Sequence, residues 1–170
     1  SQGAKIFDTL INELLVKISK ICSLKVVHQT SKKNTDFLEK FYKVNKIENK
    51  VFTFDENLNI LLKQSDLCIT RAGASSLAEL SLLKIPFIAI PLPTSKDNHQ
   101  YENAKYYKDK NCCWIINQEN FNKQKFEELL IKLSGKKDEY LTKKKNLEKL
   151  NYQNTWNNVN QKLLEIFNEN

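Results

Sequence analysis

The chain has 170 residues, 41% hydrophobic and 28% charged, with a net charge of +7. That length supports one domain with a sizeable core, and the composition excludes a disordered, collagen-like or disulfide-stapled chain. The charge comes from 26 scattered lysines and a single arginine, Arg71, which reads as lysine bias rather than a nucleic-acid or membrane stripe, so no nucleic-acid partner is expected.

The sequence starts at Ser1 and holds no methionine, so a longer reading frame is expected. Ser1-Gln2-Gly3-Ala4 leads into a helical pattern over 4–20. A strand over 25–29, a helix over 35–44, a strand over 51–54 and a helix over 56–64 follow. The next strand, 67–70, ends at Arg71-Ala72-Gly73-Ala74-Ser75-Ser76, and a helix is expected over 75–84. The proline-marked apolar run 86–90 reads as a strand covered on both faces, and it is too short to span a bilayer. A helix over 98–109, a strand over 113–116 and a helix over 122–133 complete the alternation. Beyond Gly135 the pattern is wholly helical, over 136–150 and 155–167, where Trp156, Val159, Leu163 and Phe167 recur at helical spacing as core packing. Short β-branched runs alternating with helices predict βαβ units around a parallel sheet in one domain, 1–170, with 136–170 as C-terminal helices.

Only three glycines occur where average usage of about 7% would place roughly twelve. Two of them, Gly3 and Gly73, sit in loops that precede helices. A helix start presents unpaired N–H groups and a positive dipole end, which suits a phosphate or a sugar hydroxyl. In a doubly wound sheet such loops meet at the strand carboxyl ends, where ligands bind. Phe54-Asp55 and the loop around 93–100 fall on the same rim.

Several motifs have two readings. Ser76-Leu77-Ala78-Glu79 fits the S-x-x-E capping box, yet a carboxylate one turn into that helix is also placed to accept ribose hydroxyls. Asp97 or Asn98 fits a helix N-cap, while His99 and Gln100 supply the directional groups a sugar needs. His28, at a strand end, reads as a satisfied structural group. The four cysteines, Cys22, Cys68, Cys112 and Cys113, form no C-x-x-C pair and read as buried free thiols of a reducing compartment. No metal-ligand pattern accompanies the glycine loops, so a metal-independent site without a cofactor is expected.

Ser1-Gln2-Gly3-Ala4, Arg71 to Glu79, Ile85-Pro86 with Pro91, Asp97-Asn98-His99-Gln100 and Asn103-Ala104 together resemble the MurG family of bacterial UDP-N-acetylglucosamine transferases. The resemblance implies an α/β fold, a Rossmann-like parallel sheet with helices on both faces, forming the C-terminal donor-binding domain of a GT-B glycosyltransferase. It implies an inverting, metal-independent transfer of N-acetylglucosamine to undecaprenyl-diphospho-muramoyl-pentapeptide, lipid I, giving lipid II for peptidoglycan. The acceptor site, the contact with the cytoplasmic face of the cell membrane and the general base then belong to an absent N-terminal domain, so no catalytic residue is expected in this chain, and the isolated chain is expected to be inactive.

Carried over residue by residue, Ser1 belongs to a loop touching the donor diphosphate. Ala74, Ser75, Ser76, Leu77, Ala78 and Glu79 wrap the donor, with Glu79 on the ribose. The Asp55 backbone reads the uracil, and Gln100, beside His99, reads the sugar hydroxyls. Phe54, Arg71, Gly73, His99 and Asn103 are further donor-binding candidates. One departure is Ser31 in His28-Gln29-Thr30-Ser31, where the family carries glycine; a positive φ there would bring strain. Two other functions remain open on the sequence: a separate UDP-N-acetylglucosamine transferase subunit docking on a membrane partner, and a non-catalytic nucleotide-binding module.

Overall fold

The computed structural model describes residues 5–135 and 137–150; Ser1, Gly3 and the expected helix over 155–167 lie outside them. Among the described residues five strands alternate with helices, and every pairing between them is parallel. β1 (Lys25–Gln29) pairs with β2 (Glu48–Phe52), while β3 (Cys68–Thr70), β4 (Phe87–Ala89) and β5 (Cys113–Ile115) form a second group ordered β3-β4-β5. The expected parallel arrangement with helices on both faces is present, and the described strands are hydrogen-bonded as two sheets, of two and three strands.

Alternation along β4 and β5 explains how helices cover both faces of the larger sheet. Phe87, Ala89 and Cys113 pack on one side with Leu77 and Leu80 of α4 (Ala74–Leu82), Ala104 and Tyr107 of α5 (His99–Asp109), and Leu147 of α7 (Lys137–Lys149). Ile88, Ile90 and Trp114 point to the other side, against Leu14 and Ile18 of α1 (Asn12–Ser19) and Phe126 and Leu130 of α6 (Lys123–Gly135). β4 is buried at all three positions, as the unbroken apolar run 86–90 predicts. A third cluster joins Val26 of β1 to Leu38 and Tyr42 of α2 (Thr35–Val44). Full burial of each such side chain contributes about 1.5–3 kcal/mol.

β1 and α2 match the expected bounds, while β2 begins at Glu48 rather than 51 and ends at Phe52. Its polar start, Glu48-Asn49-Lys50, hides it from a hydrophobicity reading, because a half-exposed edge strand needs few apolar residues. The first helix is also irregular: a π-helical turn, Phe7–Ile11, precedes α1, and Asn12 Nδ2 donates to the Asp8 carbonyl at 2.8 Å. α3 (Leu58–Lys63) is shorter than expected.

Glycine poverty is visible at the helix ends. α2, α4 and α5 each close with a 6→1 hydrogen bond, Ile47 N–H to Tyr42 C=O, Ile85 to Leu80 and Cys112 to Tyr107, at 2.9–3.0 Å. The residue before each donor, Lys46, Lys84 or Asn111, takes a φ of 53–60°. Glycine is the usual occupant of that position. Ser31, by contrast, is not among the positive-φ residues; its carbonyl accepts the Asn34 N–H at 2.9 Å, so the turn after β1 carries no such strain.

Candidate functional site

The rim at the strand carboxyl ends is organised around the start of α4. Gly73 is its N-cap, with φ −66° and ψ 137°, a conformation open to any residue. A Cβ built on Gly73 would meet nothing nearer than Ser76 Oγ, at 3.8 Å. The chain itself therefore has room for a side chain here, and what glycine keeps open is the space ahead of the helix. The first intrahelical donor is Leu77, to Gly73 C=O at 3.0 Å, which leaves the amides of Ala74, Ser75 and Ser76 without an intrahelical acceptor. All three residues are exposed. Leu77 differs: its side chain is fully buried and its amide is spent, so it supports the turn from below. Ala78 is half-buried.

This start removes the capping-box reading. With Gly73 as the cap, Ser76 sits inside the first turn and Glu79 lies beyond the position from which a box carboxylate reaches back. The carboxylate of half-buried Glu79 makes no hydrogen bond or ion pair with the described residues, and the Glu79 carbonyl accepts the Leu83 amide at 2.9 Å. The S-x-x-E spacing was real, but it was out of register with the helix.

The polar residues of α5 turn inward. Gln100 Oε1 accepts from the Ala72 amide at 3.2 Å and the Leu92 amide at 3.0 Å, and Asn103 Nδ2 donates to the Ala72 carbonyl at 3.0 Å. The Ala72 backbone, immediately before Gly73, is thus held from both its N–H and its C=O. The Gln100 side-chain oxygen and the Asn103 side-chain nitrogen are thus committed to the loop, while the Gln100 side-chain nitrogen is not part of these bonds. Arg71 is likewise a strut, donating through NH1 to Ile90 C=O at 3.0 Å and Pro91 C=O at 3.3 Å, and through NH2 to Gln118 Oε1 at 2.6 Å. It lies 5.2 Å from the Phe7 ring centroid. A lysine point charge could not meet these directed acceptors as a planar fork does. That is a physical reason for one arginine among lysines.

Exposed His99 uses Nδ1 on the Lys96 carbonyl at 2.7 Å. Asp97 and Asn98 both take positive φ, 50° and 54°; Asn98 is the N-cap of α5 by backbone geometry, with no side-chain capping bond. On the other side of the rim, Asp55 receives Lys50 Nζ at 2.6 Å and the Asn57 amide at 2.9 Å. The Lys50 hydrogen bond first, then that of Asn57, holds its carboxyl below the ordinary value. Its side chain is occupied with the turn, while Phe54 beside it is 75% exposed.

Sequence reasoning missed a polar network joining the first helix to β1. Buried Asp8 accepts from His28 Nε2 at 3.1 Å, from Thr30 Oγ1 at 3.0 Å and from Asn34 Nδ2 at 2.6 Å, and His28 Nδ1 meets the Tyr42 hydroxyl at 2.8 Å. Burial lowers the His28 pKa, partly offset by Asp8, and burial raises that of Tyr42. His28 is the structural group the sequence suggested. Only its position at a strand end hinted at a partner, and Asp8 lies 20 residues away.

The cysteines are unpaired; Cys112 and Cys113 are buried, and Cys22 and Cys68 are half-buried. Burial pushes the thiols of Cys68 and Cys113 up to about 12. Among the described residues no group of three or more His, Cys, Asp or Glu side chains is placed to hold a metal. A cleft of about 270 Å³ opens on the same rim between Leu92, Tyr101 and Gln118, with Pro91 and Asn98 of the motifs singled out in the sequence in its lining but not Gly73, Glu79 or Gln100. Ser1 lies outside the described residues. The rest of the site is an open half-cleft: the α4 start, Glu79 beyond it, and a loop braced from α5.

Comparison with known proteins bears on this rim. Residues 1–159 match the glycosyltransferase family 28 C-terminal domain. The chain is similar to a protein of Pelagibacter ubique named UDP-N-acetylglucosamine–N-acetylmuramyl-(pentapeptide) pyrophosphoryl-undecaprenol N-acetylglucosamine transferase, with 44% identity over all 170 residues and 48% of that protein. Proteins of the same name from Campylobacter jejuni subsp. doylei and a Wolbachia of Brugia malayi are 38% and 34% identical, over 79% and 91% of this chain and 39% and 46% of theirs. A crystal structure of Acinetobacter baumannii MurG superposes with a TM-score of 0.75 over 86% of this chain and 42% of that one, at 23% identity, which supports the fold. The chain spans about half the length of the relatives it matches.

Proposed function

The chain belongs to the family of the glycosyltransferase family 28 C-terminal domain, and from that premise we propose that it is the donor-binding half of an inverting, metal-independent UDP-N-acetylglucosamine transferase. The acceptor is lipid I and the product lipid II. The acceptor site, the general base and the attachment to the cytoplasmic membrane face belong to the other half of the enzyme. The observation that carries this reading is the open start of α4, with three exposed residues ahead of a half-buried carboxylate that has no partner among the described residues.

The amides of Ala74, Ser75 and Ser76, at the positive end of the helix, suit the donor diphosphate. Glu79 accepts hydrogen bonds from the ribose hydroxyls, and the Asp55 backbone reads the uracil beside exposed Phe54. The Gln100 side-chain nitrogen, whose carbonyl partner is already tied down, is the group left to address the sugar. In the reaction the acceptor hydroxyl bonds to the sugar's anomeric carbon as its bond to UDP breaks. Charge then develops on the leaving diphosphate, where a preorganised helix start stabilises it. The base that takes the acceptor proton sits across the cleft, so positioning of both reactants needs both walls.

Calorimetric titration with UDP-N-acetylglucosamine, with and without chelator, tests this reading. Binding that is selective over other nucleotide sugars, indifferent to chelator and shallow in its salt dependence supports it; a steep salt dependence points to a polyanion-binding module instead. Sugar transfer to lipid acceptor by the isolated chain would overturn the assignment of the base to the other half.

A further inference from the structure

The rim carries a second concavity, outside the half-cleft at the start of α4. It is the cleft of about 270 Å³ whose lining includes Leu92, Asn98, Tyr101 and the loop residues Asn117, Gln118 and Glu119. The segment Ile90–Leu92 forms the wall between the two. Arg71 holds the carbonyls of Ile90 and Pro91 and reaches Gln118 Oε1 at 2.6 Å, while Gln100 Oε1 holds the Leu92 amide at 3.0 Å. Gln100 and Tyr101 are consecutive in α5, so their side chains diverge by about 100°. Gln100 turns to Ala72, ahead of Gly73, and Tyr101 turns to the cleft.

The polar ends that line this cleft are unspent. The side chains of Asn98, Tyr101, Asn117 and Glu119 make no hydrogen bond or ion pair with the described residues, and Gln118 uses only its oxygen, on Arg71. Asn98 also sits in strained backbone. It takes φ 54° at the N-cap of α5 without a side-chain capping bond, directly after Asp97 at φ 50°. Two adjacent left-handed residues other than glycine are costly, and strain of this kind concentrates at ligand clamps.

The inventory of donors and acceptors selects the ligand. The amides of Asn98 and Asn117, the Gln118 nitrogen and the Tyr101 hydroxyl donate, while amide oxygens, that hydroxyl and the Glu119 carboxylate accept. A phosphate only accepts, and it would meet the Glu119 charge with no cationic side chain in the described lining. An ammonium only donates, and it would leave the amide N–H groups unmatched. Sugar hydroxyls do both. Pro91, Pro93 and the Tyr101 ring add apolar surface, suited to the C–H face of a pyranose. The volume lies just under the range of drug-sized sites, about 300–1,000 Å³, which suits a single ring. An extended peptide finds no strand to pair with here, because β5 ends at Ile115, short of these residues.

We infer that this cleft is a second carbohydrate site, which takes one neutral pyranose ring on the far side of the Ile90–Leu92 wall from the proposed nucleotide-sugar site. Tyr101 and the prolines carry the ring's apolar face, and Asn98, Asn117 and Glu119 take its hydroxyls. The two sites share the wall but no lining side chain, so this one does not depend on what the α4 start binds.

Amide NMR spectra of the 170-residue chain test this, titrated with N-acetylglucosamine, methyl glucoside, alanyl-alanine or glycerol, each with and without UDP. The expected result is that a sugar shifts Asn98, Tyr101 and residues 117–119 to saturation whether or not UDP is present. Asn117 is exposed and lies outside the helices and strands, so Asn117→Ala keeps the fold, and it is expected to weaken the sugar about fivefold. Sugar shifts confined to residues 73–79, saturation by alanyl-alanine alone, or an equal response to glycerol would each overturn the inference. So would spectra unchanged by both sugars, or undiminished sugar binding in Asn117→Ala. Saturation at these residues in a chain that ignores UDP would remove the donor reading and leave this one standing.

Discussion

Asn103 Nδ2 donates to the Ala72 carbonyl at 3.0 Å, tying the first turns of α5 to the residue just ahead of Gly73. The bond fixes which way the Asn103 side chain can be read: it is a donor, facing an acceptor. Asn103→Ala leaves the carbonyl of buried Ala72 unmet and is expected to cost about 1 kcal/mol. Asn103→Asp sets a carboxylate against that carbonyl and is expected to cost more, about 2–3 kcal/mol. Urea midpoints measure both; an aspartate tolerated better than alanine would show that the loop is not held in this way.

Glu79→Gln keeps the shape and removes the charge. With the capping box excluded by the Gly73 cap, the fold has little use for this carboxylate, so the melting temperature is expected to stay within a degree or two. UDP affinity is expected to fall by about 1.5–3 kcal/mol, roughly ten- to hundredfold. Unchanged affinity in a calorimetric titration would remove the ribose role.

Gly73→Ala separates ligand space from backbone need. The new methyl meets only Ser76 Oγ, at 3.8 Å, and the poorer cap is offset by a stiffer unfolded chain, so stability should change by less than about 0.5 kcal/mol. UDP affinity should drop about tenfold or more, because the methyl occupies the approach to the helix amides. A variant that binds as tightly as the parent would place the diphosphate elsewhere.

Lys46→Gly addresses the left-handed helix ends. Lys46 is exposed at φ 56°, a conformation that costs an L-residue about 1–2 kcal/mol, partly returned through unfolded-state entropy. A net stabilisation of about 0.5–1 kcal/mol is expected in denaturant unfolding, with an unchanged m-value. Destabilisation would mean that the lysine side chain itself supports the turn.

His28 sets a pH dependence. Burial lowers its pKa in the folded protein, so below the ordinary histidine value of about 6.5 the unfolded state binds more protons than the folded state. Stability is then expected to hold above that pH and to decline as pH falls through 6.5 toward 5. In His28→Gln the decline over that interval should be shallower. Equal slopes for parent and variant in urea midpoints against pH would remove His28 as the cause.

The alternation of apolar runs and helical patterns was enough to place five parallel strands and the helices between them, because residue spacing of 2.0 or 3.6 is a local property. The rim position of Gly73, Glu79 and Asp55 followed from strand order, and the family followed from motif spacing. Partner choice did not, since it is decided across distance. Arg71 meets Gln118 from 47 residues away, Asp8 meets His28 from 20, and Gln100 closes on Ala72 from 28. Ser76 and Glu79 have capping-box spacing, yet the helix starts at Ala74 because the chain leaves β3 with Gly73 extended. Spacing proposes a hydrogen bond; only the packed sheet decides which donor and acceptor come within 3 Å.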